Sequence, residues 1–236
     1  MLNGVLLVDK GEGMTSHDVV AVARKCLAMK KIGHCGTLDP MATGMLILTI
    51  GRGTKMQDLL MAEEKEYEGT VTLGATTSTQ DREGEILEEK EIPDLSESDI
   101  EAAFENLTGD FEQIPPMVSA IKKDGVPLYK LARQGKEIKR DPRPVTVYSY
   151  EITRNEVPEI DFRVVCSKGF YVRTYAHDIG QTLGCGGHLS ALRRTRSGKF
   201  TFELDHVTFD DLKSGDRDKV RAAVMSLPDV SRLRGA

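Results

Sequence analysis

The chain has 236 residues and a formal net charge of −5, with 39% hydrophobic and 29% charged residues. That is enough to bury a core and too apolar for a disordered chain. No segment approaches the roughly 20 apolar residues of a membrane span, and four scattered cysteines without a CxxC pair fit a reducing cytoplasm better than a disulfide framework.

Met1 to Lys10 lacks a basic leader or cleavage site and reads as a first strand centred on Val5-Leu6-Leu7-Val8. Gly11-Glu12-Gly13 is a turn, and Thr15 or Ser16 can cap a helix over roughly 17–29. Met45 to Ile50 is a short apolar run closed by Gly51, the pattern of a buried strand, and a short helix is expected from Thr54 to Ala62. Tyr67 to Leu73 alternates as a half-buried strand does. Thr76 to Gly84 reads as a polar turn region, Ile86 to Ile92 as another strand, and Ser96 with Asp99 opens a helix through about Leu107.

Gln113 to Pro144 is basic, proline-bounded and unlike its surroundings, so it reads as an excursion from the core. Strands are expected at Val145 to Thr153, Ile160 to Ser167 and Phe200 to Glu203. Helices are expected at Thr174 to Leu183 and Arg217 to Met225, with a helical turn at Leu189 to Arg193. Strands outnumber helices without strict βαβ alternation, which predicts an α+β fold with a mixed, mainly antiparallel sheet flanked by helices.

Charge is unevenly spread. Residues 61–110 carry sixteen acids and three bases, whereas residues 111–200 carry sixteen bases and nine acids. A polyanion responds to the local field, so an acidic chain can still present a basic face to nucleic acid.

One segment stands out chemically. Residues 33–44 read Gly33-His34-Cys35-Gly36-Thr37-Leu38-Asp39-Pro40-Met41-Ala42-Thr43-Gly44, a lone carboxylate in a glycine-rich loop beside a buried strand. Pro40 restricts Asp39 to extended conformations, and the glycines permit tight turns. By itself this is a turn before a strand.

As a whole, GHCGTLDPMATG resembles the central motif of the TruB family of tRNA pseudouridine synthases, whose pattern is close to GHxGTLDPxATG. Further segments follow in the family's order: Asp9-Lys10 with Gly13-Met14-Thr15-Ser16, Lys65-Glu66-Tyr67, Lys168-Gly169-Phe170-Tyr171-Val172-Arg173-Thr174, and Leu189 to Arg194. Gly11 stands where the family's DKPxGxTS pattern has proline. The resemblance implies one catalytic domain over residues 1–236. It would carry a basic RNA-binding insertion at about 113–144 and a short helical tail at about 212–236. The chain ends too soon after its last expected core strand for the family's C-terminal PUA domain.

The implied activity isomerises uridine to pseudouridine in the T arm of tRNA, at tRNA position 55, by flipping the base out and breaking and re-forming the glycosidic bond. Asp39 would be the catalytic carboxylate. A pocket disfavours its charged form, so a cation is needed beside it, and Arg173 is the candidate. Tyr67 would stack on the extruded uracil, Tyr171 and Leu192 would line the pocket, and His34 would fill the space the base vacates. Lys10 and Lys55 are weaker candidates for RNA or pocket contacts. Lys122, Lys123, Arg133, Lys139 and Arg140 are expected to meet phosphates. The reaction calls for no cofactor and no metal. Cys185 to His188 and His34-Cys35 lack the paired spacings of a zinc site. The expected protein is a cytoplasmic monomer with tRNA as its partner, no membrane association and no obligate protein partner. The remaining alternatives are a non-catalytic protein that binds and folds a tRNA arm, or a synthase acting on another RNA.

Overall fold

A computed structural model describes residues 2–235 apart from 120, 124 and 133. In chain order the first half runs β1 (Gly4–Lys10), α1 (Ser16–Leu27), β2 (Ile32–Cys35), β3 (Thr43–Ile50), a 3-10 turn (Gly51–Met56) and α2 (Gln57–Met61). There follow β4 (Lys65–Leu73), β5 (Ala75–Thr77), β6 (Ile86–Glu89), α3 (Glu97–Glu105) and β7 (Gly109–Gln113). The insertion holds β8 (Lys122–Lys123), β9 (Val126–Pro127) and α4 (Leu128–Ala132). Then come β10 (Arg143–Glu156), β11 (Glu159–Cys166), α5 (Val172–Thr182) and β12 (Gly187–Ser197). The chain closes with β13 (His206–Thr208), α6 (Phe209–Ser214), α7 (Arg217–Ala222), β14 (Met225–Ser226) and α8 (Leu227–Arg234). This is an α+β fold whose pairings are mostly antiparallel, as expected from the sequence.

Two compact units are formed, Met1–Tyr67 with Leu192–Ala236, and Glu68–Ala191. In the first, β1 lies antiparallel to β3 from Gly4↔Ile50 to Lys10↔Gly44, and β2 lies on β3 with Cys35 opposite Ile47. Within β12, Arg193 and Arg194 run parallel to the start of β3, Arg193↔Thr43 and Arg194↔Gly44. β3 is buried from Gly44 to Ile50, so both of its faces are apolar and it reads as a continuous hydrophobic run. Val5, Leu7, Cys35, Met45, Ile47, Leu60, Phe200 and Val230 pack into one core. Helix α1 starts at a reciprocal cap: the Asp18 N–H donates to the Thr15 hydroxyl, and the Thr15 N–H donates to the Asp18 carboxylate. The Thr15 hydroxyl, which donates to the Asp18 carboxylate at 2.7 Å, and then the Thr15 N–H hold that carboxyl below its ordinary value.

In the second unit β11 pairs with β10, and β10 with β7, both antiparallel. An aromatic cluster of Phe104, Phe162, Phe170 and Tyr175 ties α3 and α5 to the sheet face through ring pairs 5.3–5.8 Å apart. The expected cap of α3 forms, with Ser96 and Asp99 exchanging hydrogen bonds.

Three local expectations fail. Leu189 to Arg193 is strand, not a helical turn. It belongs to an eleven-residue stretch in which Leu189, Leu192 and Arg194 are buried, and sheet partners on both sides override the local helical spacing. Phe200 to Glu203 forms no strand: Phe200 turns back to bond with Ser197, and its ring fills the first unit's core. The helix expected from Thr54 begins instead as a 3-10 turn at Gly51, because Gly51 can take φ +58 directly after β3. Among the described residues no helix is long and apolar enough to cross a membrane.

Candidate active site

In the first unit, β2 and β3 are joined by residues 36–42, and the half-buried Asp39 sits in that loop. The loop has little regular structure of its own. Its Ala42 N–H returns to the Asp39 carbonyl at 3.1 Å, and Gly13 N–H reaches the Pro40 carbonyl at 2.9 Å. Buried polar side chains hold the rest. Lys10 is 0% exposed, and its ammonium donates to the carbonyls of Gly11 (2.9 Å), Met14 (2.8 Å) and Pro40 (3.2 Å). Ser16 Oγ donates to the Leu38 carbonyl at 3.1 Å and accepts from its N–H at 2.9 Å. Arg194 is 1% exposed, and its guanidinium donates to the Gly36 carbonyl at 3.1 Å and the Met45 carbonyl at 2.7 Å. Gly44, at φ +96, lies so close to β12 that a Cβ would fall 2.3 Å from the Arg194 carbonyl oxygen. Glycine is required there to let the two strands meet.

His34 precedes the loop on β2. Its ring sits edge-on to His17, with centroids 5.4 Å apart. Burial, then the nearby His17 and Arg194 charges, push its pKa down to about 4. The ring is therefore neutral at physiological pH, a flat and uncharged group. The Gln57 amide fixes the His34 carbonyl at 3.1 Å. Tyr67 is half-buried on β4, and the buried Leu192 accepts the Thr43 hydroxyl through its carbonyl at 3.3 Å. Lys55 is exposed and, among the described residues, has no hydrogen bond or ion pair.

In the second unit, Arg173 occupies the first turn of α5 and is 4% exposed. Its guanidinium donates to the Thr79 carbonyl (3.0 Å) and the Val118 carbonyl (2.7 Å) and lies 3.6 Å from the equally buried Asp81 carboxylate. Asp81 also accepts from the Thr79 hydroxyl and the Glu83 N–H. Gln80, at φ +64, accepts from the Thr174 hydroxyl at 2.8 Å. The stretch that reads as a polar turn, 76–84, is thus a seat for the arginine. Tyr171 caps α5 with its backbone, half-buried.

Lys10, Ser16, Arg194 and Leu192 are brought to the Asp39 segment within the first unit, and Arg173 and Asp81 come together in the second. Sequence reasoning missed Asp81, Ser16 and Gln113, and it assigned no role to Arg194. Each sits in a string whose composition reads as turn, cap or strand end, and only burial reveals the function. Of the expected phosphate contacts, Arg133 and the Lys122 side chain lie outside the described residues. Lys123 and Lys139 are exposed, with the Lys123 ammonium on the Lys139 carbonyl at 2.9 Å. Arg140 is half-buried and donates to the Pro115 carbonyl and Glu137, both at 3.2 Å, beside a cavity of about 120 Å³ lined by Ile121, Leu128 and Ile138. It braces the insertion from within. Among the described residues no group of three or more His, Cys, Asp or Glu could hold a metal.

Two family models match the chain. The TruB family pseudouridylate synthase N-terminal domain matches residues 24–172, and the tRNA pseudouridylate synthase B C-terminal domain matches residues 173–227. The tRNA pseudouridine synthase B of Opitutus terrae is 55% identical over 90% of this chain and 88% of its own length. That of Syntrophotalea carbinolica is 50% identical over 84% of this chain, which spans 65% of that protein. Among solved structures, a chain of a Cbf5-Nop10-Gar1 complex is similar at a TM-score of 0.75 and 30% identity, covering 98% of this chain and 62% of that one. Motif order, the clamped aspartate loop and these matches agree: the chain belongs to the TruB family of pseudouridylate synthases.

Proposed function

We propose that this protein isomerises uridine to pseudouridine in the T arm of tRNA, at tRNA position 55, with Asp39 as the reacting carboxylate. The observation that carries the reading is the presentation of Asp39 from a loop pinned by the buried Lys10, Ser16 and Arg194. A loop that only turned the chain would not need two buried cations to fix its carbonyls, since burying each costs several kcal/mol unless it is fully hydrogen-bonded. Such fixed geometry is what positioning a reacting group demands.

The N1–C1′ bond breaks, the freed uracil turns, and C5 joins C1′. The C5 proton leaves and N1 gains one, so nothing is oxidised. Asp39 attacks or deprotonates the ribose side, and Arg173 is the cation that favours its ionised form. Tyr67 stacks on the extruded base, Tyr171 and Leu192 line its pocket, and the neutral His34 ring occupies the place it left. Lys10 acts through the loop and not on RNA. Lys123 and Lys139, with Lys122, supply phosphate contacts. The catalytic domain works as a cytoplasmic monomer.

The test incubates purified protein with an unmodified tRNA transcript and maps pseudouridine by chemical probing. Product at position 55 of the T arm is expected. No product, or product only at other uridines, overturns the reading.

A further inference from the structure

The insertion leaves the sheet after Gln113 and rejoins it at Arg143, and these two residues face each other in the β7–β10 register. Gln113 is 2% exposed, and its amide spans the backbone of Tyr171. The Tyr171 N–H donates to Gln113 Oε1 at 2.8 Å, and Gln113 Nε2 donates to the Tyr171 carbonyl at 3.1 Å. That carbonyl also accepts the first helical bond of α5, from the Tyr175 N–H at 3.1 Å. Tyr171 offers α5 no side-chain cap, so Gln113 provides from outside the fixed point that a capping residue ordinarily provides. Two residues further on, the Arg173 guanidinium reaches the carbonyl of Val118, inside the insertion. The α5 motif is therefore gripped twice, at Tyr171 by the last residue of the strand entering the insertion and at Arg173 by the insertion's own backbone.

We propose that Gln113 is a positioning residue: it fixes Tyr171 and the first turn of α5, and so sets Arg173, and it ties that setting to the root of the RNA-gripping insertion. The inference rests on the reading of this chain as a synthase in which Arg173 serves the reacting carboxylate. The chemistry selects an amide. One planar group must accept from an N–H and donate to a carbonyl. Leucine does neither, and an ionised glutamate only accepts, setting its second oxygen against the Tyr171 carbonyl. A protonated glutamate restores both bonds.

The test compares Gln113→Leu, Gln113→Glu and a control, Thr72→Val, which removes the Thr72–Ser190 hydrogen bond elsewhere in the same unit. Single-turnover pseudouridine formation and tRNA affinity are measured for each, alongside thermal stability. Gln113→Leu is expected to slow the chemical step about tenfold or more, the loss typical of a displaced catalytic group, while the tRNA Kd stays within about twofold. Thr72→Val should lose comparable stability and keep the wild-type rate. Gln113→Glu should recover relative to wild type as pH falls from 8 to 5.5 and its carboxyl protonates. A Gln113→Leu rate equal to wild type, an equal slowing by Thr72→Val, or a Gln113→Glu rate ratio flat with pH each overturns the proposal. If the wild type itself forms no pseudouridine, the proposed reaction fails instead. Amide exchange at Tyr171 then decides the positioning claim: Gln113→Leu must speed it, and unchanged exchange refutes it.

Discussion

The loop at 36–42 and the insertion at 114–142 are both irregular segments hung between sheet strands, and they are held by opposite means. The first is short, and its Pro40 and Gly36 carbonyls are fixed by side chains removed from water, those of Lys10 and Arg194. The second is built from two-residue strands and a five-residue helix, leaves Ile114 and Val126 exposed, and among the described residues carries most of its charge at the surface. On the proposed reading Asp39 reacts, and a reacting carboxylate tolerates little displacement, which matches a loop buttressed from within the core. On the same proposal the insertion follows an RNA backbone, which requires it to adapt, and small, weakly packed elements permit that.

The comparison breaks first at Asp39. Asp39→Asn keeps the shape of the loop and removes only the charge. Pseudouridine formation should fall below detection while tRNA binding, measured by filter retention, stays within about threefold of wild type. Retained turnover would refute the catalytic role. Next comes the clamp. Lys10→Met removes the donor from three partly buried carbonyls at once, which should cost about 3 kcal/mol in urea unfolding and reduce activity with it. The same change at the exposed Lys139 should cost no more than about 0.5 kcal/mol. Equal losses at the two lysines would erase the distinction between the segments.

The insertion is tested through salt. Each phosphate that the protein no longer neutralises lowers the slope of log affinity against log salt by roughly 0.7 to 0.9. Lys123→Ala with Lys139→Ala should therefore flatten the slope by one to two such steps and leave the single-turnover rate at saturating tRNA near wild type. Arg140→Ala is expected to differ. Its donors face Pro115 and Glu137, so its removal should loosen the insertion more than it changes the salt slope. An unchanged slope in the double variant would make the two lysines ordinary solvated surface.

Much of this organisation is legible in the sequence, and the illegible part has a common cause. Val5 to Val8, Met45 to Ile50 and the Ser96–Asp99 cap announce themselves through period and capping chemistry. Asp39 and Arg173 are legible through their motifs. The supports of both are not. Lys10 reads as a candidate for RNA or pocket contacts and not as a clamp on the loop, Asp81 as a turn residue, and Gln113 as the last polar residue before two prolines. Their partners are mostly backbone carbonyls and N–H groups far along the chain, and backbone carries no sequence signal. Leu189 to Arg193 misleads for the same reason, since strand neighbours distant in sequence decide its state.

The smallest expected effect sharpens the comparison from the other side, because the clamped loop implies that a buried charge persists only with partners. Asp178 on α5 is half-buried and, among the described residues, its carboxylate has no hydrogen-bond or ion-pair partner. Burial raises its pKa to about 6. The folded state thus takes up a proton that the unfolded chain, at the ordinary value of 3.8, does not. Stability falls as pH rises from about 4 through 6 and stays lowered above that range. Asp178→Asn removes the charge without changing the shape. It should raise Tm by about 2–4 °C at pH 8, the shift expected for roughly 1 kcal/mol in a chain of this size, and should do nothing at pH 4. A gain of the same size at both pH values would assign the effect to packing. A drop in Tm at pH 8 would mean that the carboxylate has a partner of its own, and that the second unit fixes its charges as closely as the aspartate loop does.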